Sequence, residues 1–242
     1  MIDVTLIPII PQNDNYAYLL EADDGSVAVV DPGDAKPIID YLESENLKPD
    51  VIFITHHHWD HVDGLPDMLE WHDCPVVGAM HPRNKSNVEF TRILTEGESY
   101  PFGGEQVQVI KTPGHCREHL CFYFEDSGFV LAGDALFVMG CGRIIDGTPE
   151  ELFDTLGKLS SLPDATKVYC GHEYTLTNAK FSHAQAPDNS AIAERLKEIE
   201  KLRANDEPTI PSTIAQEKKT NLFMQAKSAA EFATLRKSKD NF

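Results

Sequence analysis

Residues 55–61 read Thr55-His56-His57-His58-Trp59-Asp60-His61, which crowds four imidazoles and a carboxylate into seven positions. The run follows Val51-Ile52-Phe53-Ile54, a short apolar stretch whose β-branched and aromatic residues predict a buried strand rather than a helix. The cluster therefore falls at the carboxyl end of a strand, where open α/β sheets place their ligands. Continued extended geometry puts His56 and His58 on one face and turns His57 the other way, to pack beneath the site. Asp60 and His61 come where the chain turns ahead of Gly64, so they aim at a second point nearby. Imidazole nitrogen and carboxylate oxygen suit zinc, iron or manganese. Four potential ligands exceed the three usually given to one catalytic zinc, which points to two metals. A surface histidine run, or core histidines held by hydrogen bonds, is the plain alternative. The adjoining strand and the Asp60-His61 pair argue against it.

Three further places repeat one pattern, an apolar strand that ends at a glycine with a potential ligand next. Val109 to Gly114 leads to His115, Phe129 to Gly133 leads to Asp134, and Val168 to Gly171 leads to His172. Glycine permits the sharp turn that lets a ligand at a strand end face a metal. Alone, each reads as a capping Asp or a buried His. With residues 56–61 they give seven groups, enough for two metals that share one carboxylate.

Around these ligands the chain alternates strands and helices. Thr5 to Ile10, Asn15 to Ala22 and Ser26 to Val30 read as strands, the last two joined by an Asp23-Asp24-Gly25 turn. Ile38, Ile39 and Leu42 predict a helix running through residue 46, and Gly64 to His72 a short one. Pro75 to Met80, Gln106 to Ile110, Leu120 to Phe124, Phe129 to Ala132 and Lys167 to Cys170 read as strands. Pro149 to Leu162 is helical, with Thr148 as N-cap. After residue 170 the strands are expected to stop. Residues 175–242 read as helices interrupted by Pro187, Pro208 and Pro211, with a core stripe of Ile192, Leu196, Ile199 and Leu202.

Charge and cysteine usage narrow the classes of function. A net charge of −18 argues against non-specific nucleic-acid binding. Residues 195–242 nevertheless hold 10 Lys or Arg against 7 Asp or Glu, a mildly basic tail on an acidic body. An anionic substrate could be met there, although most such lysines form solvated helix faces. No stretch approaches the roughly 20 apolar residues of a membrane span, and the first residues lack a signal-peptide pattern, so a cytoplasmic protein is expected. The five cysteines form no CxxC pair and are expected as free thiols. Cys116, beside His115, is a weaker candidate ligand or nucleophile.

The Thr-His-x-His-x-Asp-His run, with His115, Asp134 and His172 after their glycines, resembles the metallo-β-lactamase fold superfamily. Within it the chain is most similar to glyoxalase II, the hydroxyacylglutathione hydrolases. The resemblance extends through Gly133-Asp134-Ala135-Leu136-Phe137, Cys141-Gly142-Arg143, Tyr169-Cys170-Gly171-His172-Glu173-Tyr174, Pro208 to Thr213 and Arg236-Lys237-Ser238-Lys239-Asp240. It implies an α/β fold, the αββα metallo-β-lactamase sandwich, with a C-terminal α-helical domain. The expected domains are a metal-binding catalytic domain over 1–173 and a helical substrate-binding domain over 174–242. The same resemblance assigns His56, His58 and His115 to one metal and Asp60, His61 and His172 to the other, bridged by Asp134. Thiol-tripeptide contacts fall on Arg143, Tyr174, Arg236 and Lys239. Two positions depart from the family pattern. Ile144-Ile145 stands where an aromatic residue is common two positions after Arg143. Cys116-Arg117-Glu118-His119 replaces the usual Thr-x-Gly-His, with His119 retained.

The implied reaction is hydrolysis of an S-(2-hydroxyacyl)glutathione, chiefly S-D-lactoylglutathione, to D-lactate and glutathione in methylglyoxal detoxification. Two divalent metals, zinc first and iron or manganese next, lower the pKa of a bridging water so that hydroxide exists at neutral pH. Asp60 or Asp134 orients that hydroxide or relays its proton. The thiolate leaving group, whose conjugate acid has a pKa of about 8.5, departs without a dedicated acid. Competing readings are a lactonase, β-lactamase, phosphodiesterase or other thioesterase on the same core, an iron oxygenase acting on a persulfide, and a non-catalytic metal-binding module. The basic motif at 236–240 and the complete ligand set disfavour these. A monomer is expected, since the acidic body keeps the chain soluble.

Overall fold

The computed structural model describes residues 1–10, 14–79 and 88–242, and these fall into two compact units interleaved in sequence. The first comprises Met1–Lys111 and Glu118–Gly128, the second Thr112–Arg117 and Phe129–Phe242.

In the first unit, β1 (Ile2–Ile10), β2 (Asn15–Ala22), β3 (Val27–Val30), β4 (Val51–Ile54), β5 (Val76–Gly78) and β6 (Arg92–Ile93) form one sheet in that spatial order. Pairing is antiparallel from β1 to β3 and parallel from β3 to β6. The expected Asp23-Asp24-Gly25 turn closes the β2–β3 hairpin, with Gly25 at φ +87. The parallel steps require crossovers, and helices α1 (Ala35–Ser44), α2 (Trp59–Val62) and α3 (Leu65–Trp71) lie in them. The strand expected at Pro75–Met80 is present as β5, and Met80 lies outside the described residues.

Strand β4 is apolar throughout because both of its faces are covered. Ile52 and Ile54 point to one face, into a core with Ile38, Leu42, Leu65 and Met68 from α1 and α3. Phe53 points to the other. Its ring lies 5.1 Å from Phe122, 5.5 Å from Tyr100 and 5.9 Å from Phe102. These aromatics belong to an antiparallel set, β7 (Ser99–Phe102), β8 (Glu105–Lys111) and β9 (Leu120–Phe124). Edge-on aromatic contacts add about 0.5–1.5 kcal/mol per pair beyond the area they bury.

The second unit places β10 (Phe129–Gly133) parallel to β13 (Lys167–Cys170). A small hairpin, β11 (Leu136–Phe137) and β12 (Gly140–Cys141), follows β10. Helix α4 (Pro149–Ser160) starts at a capping box in which the Thr148 hydroxyl accepts from the Glu151 amide, as expected of Thr148. The remaining helices are α5 (Thr175–Gln185), α6 (Ser190–Ala204), α7 (Ile214–Thr220), α8 (Leu222–Gln225) and α9 (Ala229–Asp240). In the α6 stripe, Ile192 and Ile199 are buried while Leu196 and Leu202 are only half-buried.

The expectation that strands stop after residue 170 is overturned. Ser212–Thr213 forms β14, antiparallel to β13, with Lys167 opposite Thr213 and Val168 opposite Ser212. A two-residue strand beside Pro211 is too short to show alternation in the sequence. Among the described residues, no helix is long and apolar enough to cross a membrane.

Candidate metal and substrate site

The first unit carries the histidine cluster directly after β4. The Thr55 carbonyl accepts from the Leu120 amide, which pins the loop to β9. His56 and His58 do share a face, with His56 Nε2 3.1 Å from His58 Nδ1. His57 is half-buried. Helix α2 then brings His61 back, so that its ring lies 4.1 Å from that of His56. His119 is fully buried and stacks on the other side of His56, at 4.9 Å. Asp60 is half-buried on α2.

Sequence reasoning missed Asp31. This buried carboxylate accepts from the Thr55 amide at 2.8 Å and the Thr55 hydroxyl at 2.6 Å, and its Oδ2 lies 3.0 Å from His61 Nδ1. Because an ionised carboxylate only accepts, His61 Nδ1 carries the proton and Nε2 keeps its lone pair for a metal. Asp31, His56 and His61 form a group whose potential ligand atoms lie within 4.8 Å of one another. The signal was present in the sequence, since Asp31 follows the apolar run Val27–Val30 as Asp134 follows β10. Its Asp-Pro-Gly context reads as a turn. Gly33 of that turn lies so close to α2 that an added Cβ would meet the Asp60 carbonyl oxygen at 1.9 Å.

The second unit carries the other three predicted ligands, and it brings them together. Gly133 pairs with Cys170 across β10 and β13, so Asp134 and His172 emerge from neighbouring strand ends. The third, His115, is held by Ile145, whose amide donates to the His115 carbonyl at 2.9 Å. Asp134 Oδ2 lies 3.4 Å from His172 Nε2 and 3.6 Å from His115 Nε2. Two ligand atoms each about 2.1 Å from one tetrahedral ion stand about 3.4 Å apart, so these spacings fit atoms that share an ion. His115 Nδ1 lies 2.6 Å from the Arg143 carbonyl oxygen, which can only accept. The Nδ1 proton is fixed there, and Nε2 faces Asp134 as a lone-pair donor.

The predicted substrate contacts have contrasting settings. Tyr174 is exposed at its edge and stacks on His172, with centroids 4.6 Å apart and planes 4° from parallel. Arg143 is largely exposed, with Nε 3.9 Å from Asp240. Arg236 is buried instead. Its guanidinium lies over the Phe223 ring, donates to the Cys141 carbonyl at 2.9 Å and pairs with Asp240 at 3.0 Å. Lys239 lies near the rings of Phe181 and Phe242, and burial together with the Arg236 charge lowers its ammonium pKa to about 8. Ile145, at a position where the family pattern has an aromatic, is exposed. The cysteines are free thiols, Cys74 half-buried and the other four buried. Burial pushes the Cys141 thiol up to about 11 and raises Cys170 further.

Comparison with known proteins agrees with this arrangement. The profile of the metallo-β-lactamase superfamily matches residues 11–172, and that of the hydroxyacylglutathione hydrolase C-terminus matches residues 173–242. The chain belongs to the hydroxyacylglutathione hydrolase family. A hydroxyacylglutathione hydrolase of Rhodopseudomonas palustris is 39% identical, over 99% of this chain and 98% of its own length. Among solved structures, ETHE1 from Myxococcus xanthus aligns with a TM-score of 0.73 at 24% identity, covering 97% of this chain and 90% of its own. TTHA1623 in a di-iron-bound form aligns at 0.64 and 27% identity, covering 86% and 94%. The expected fold class is therefore met, an α/β metallo-β-lactamase fold with a C-terminal helical region. The histidine and aspartate groups are those of a divalent-metal-binding hydrolase family.

Proposed function

We propose that the chain is a binuclear metal-dependent thioesterase that hydrolyses S-(2-hydroxyacyl)glutathione, chiefly S-D-lactoylglutathione, to D-lactate and glutathione. The observation that carries this reading is the hydroxyacylglutathione hydrolase C-terminus running directly on from the metal-binding region. Residues 1–173 serve as the metal-binding catalytic domain and 174–242 as the substrate-binding domain. His56, His58 and His115 would hold one ion and Asp60, His61 and His172 the other, with Asp134 available to both. Zinc suits this mixture of imidazole and carboxylate, and iron or manganese would be accepted by the same donors.

Divalent ions held there supply Lewis acidity and bring the pKa of bound water close to neutral. The chain's own residues do the rest. Asp31 and the Arg143 carbonyl fix the protonated nitrogens of His61 and His115, so both imidazoles offer Nε2. Asp60 or Asp134 orients the attacking water or relays its proton. The departing thiolate needs no dedicated acid. Arg143, Tyr174, Arg236 and Lys239 make up the cationic and aromatic end that serves the tripeptide, whose carboxylates call for guanidinium and ammonium groups. The protein acts as a cytoplasmic monomer in methylglyoxal detoxification.

The test is a steady-state assay on S-D-lactoylglutathione with metal quantified on the same sample. Turnover with close to two ions per chain, lost on chelation and restored by zinc, is the expected outcome. Two ions without turnover of this substrate, alongside hydrolysis of a lactone or phosphodiester, would overturn the assignment.

A further inference from the structure

Four buried polar side chains of the helical part of the second unit converge on one short piece of backbone. Glu217 of α7 is fully buried and accepts from the Met139 amide at 2.7 Å, the Ser212 hydroxyl at 2.5 Å and the Asn221 amide at 3.0 Å. Asn221 also donates to the carbonyls of Gly140, at 2.9 Å, and Phe137, at 3.3 Å. Asn178 of α5 donates to the Val138 carbonyl at 3.2 Å, and Arg236 of α9 to that of Cys141. Between them these four side chains bind every residue from 137 to 141, and Glu217 also holds Ser212 of β14. Their common target is the β11–β12 hairpin.

That hairpin has a particular place in the chain. It begins two residues after Asp134 and ends two residues before Arg143. Its Phe137 ring packs edge-on against His172 at 5.9 Å and Tyr174 at 5.4 Å. Its turn holds Met139 at φ +56, a left-handed conformation uncommon outside glycine, and the Glu217 carboxylate takes the amide of that same residue. A carboxyl group buried this deeply is costly unless its bonds are needed, and apolar side chains would satisfy packing alone. Burial raises the Glu217 pKa, and the Ser212, Met139 and Asn221 donors pull it back.

We propose that Glu217 is a positioning residue for hydrolysis: with Asn221, Asn178 and Arg236 it holds the hairpin that sets Arg143 and Tyr174 relative to the ligands Asp134 and His172. The proposal rests on the thioesterase reading and adds a role for the helical region in placing the substrate end from behind. Substituting Glu217→Ala is expected to raise KM for S-D-lactoylglutathione about tenfold while kcat falls less, because the tripeptide contacts drift while Asp134 and His172 stay anchored at the paired ends of β10 and β13. Glu217→Gln keeps the shape, accepts from Met139 and Asn221 through its amide oxygen, donates to Ser212, and restores the KM. Ile192→Ala, a buried α6 substitution outside the set of side chains that bond to the hairpin, serves as the control for thermal stability lost without positioning lost. Hydrogen exchange of the amides of residues 136–143 is expected to quicken in Glu217→Ala and not in Ile192→Ala. A KM unmoved in Glu217→Ala, or moved equally by Ile192→Ala, would overturn the proposal. Should Glu217→Ala fail to fold, Asn221→Ala, which frees the Phe137 and Gly140 carbonyls, carries the same prediction. Absence of turnover by the unmodified chain would defeat the thioesterase reading instead, and is seen before any variant is made.

Discussion

Substituting Asp31→Asn separates a carboxylate that fixes a metal ligand from one that merely fills a turn. Asp31 sits at φ +51, and asparagine is among the residues that tolerate this region, so the backbone is undisturbed. The amide oxygen can still accept from the Thr55 amide, and the Thr55 hydroxyl can turn to accept from the new NH2 group. His61 cannot adapt without cost. With an NH2 group facing Nδ1, the ring takes the tautomer that puts its proton on Nε2, the nitrogen offered to the metal. Loss of such a supporting partner lowers metal affinity about 10–100-fold, or about 1.4–2.7 kcal/mol. Asp31→Ala goes further and leaves the buried Thr55 amide and His61 Nδ1–H unsatisfied, at about 1–3 kcal/mol each. Equilibrium competition against a chromophoric chelator reads the affinity, and urea denaturation of metal-free protein reads the stability. The expected pattern is weakened metal binding in both variants and markedly lowered metal-free stability only in Asp31→Ala. Metal affinity of Asp31→Asn within twofold of the unmodified protein would refute the tautomer argument.

Other consequences can be measured directly. Lys239, with its pKa lowered to about 8, is charged below that pH and neutral above it. KM for an anionic thioester should therefore be low below about pH 8 and rise above it, and Lys239→Arg should remove the rise. The same depressed pKa means the unfolded chain binds the extra proton between about pH 8 and its usual value, so this group makes stability increase with pH across that window. Gly142→Ala would bring a Cβ within 2.0 Å of the Asp134 carbonyl oxygen and 3.0 Å of His115. The overpacking should cost about 1–3 kcal/mol, seen as a lower Tm together with reduced metal content. Phe53→Ala empties the centre of the aromatic layer and should cost about 3–5 kcal/mol in chemical denaturation, with the histidine loop loosened in hydrogen exchange.

Much of the site was legible because its signals are local. A strand period of two set His56 and His58 together, and each of Asp134 and His172 follows a glycine at the end of a buried run. Asp31 obeys the same rule and was hidden by Asp-Pro-Gly, whose turn chemistry is the commoner explanation, and by the 24 residues separating it from Thr55. Arg236 was read as a tripeptide contact from the family resemblance. Its burial depends on Phe223, Cys141 and Asp240, of which only Asp240, one helical turn along, is visible at short range. The convergence on the β11–β12 hairpin was invisible for a similar reason. Glu217 and Asn221 look like ordinary polar helix residues until the backbone 78–84 positions away is seen to receive them. Strand β14 escaped because two residues carry no period.

The burial of the thiols bears on survival among the reaction's own products. Thiol–disulfide exchange proceeds through thiolates that a partner disulfide can reach. A hydrolase that liberates glutathione works in a pool that also contains glutathione disulfide. Cys116, Cys121, Cys141 and Cys170 are enclosed, and burial keeps Cys141 and Cys170 protonated. Only Cys74 is partly exposed, and burial with the nearby Asp73 charge holds its thiol near 11. The folded chain is thus poorly disposed to capture its leaving group as a mixed disulfide, and an oxidising shift in the pool would leave the catalyst working.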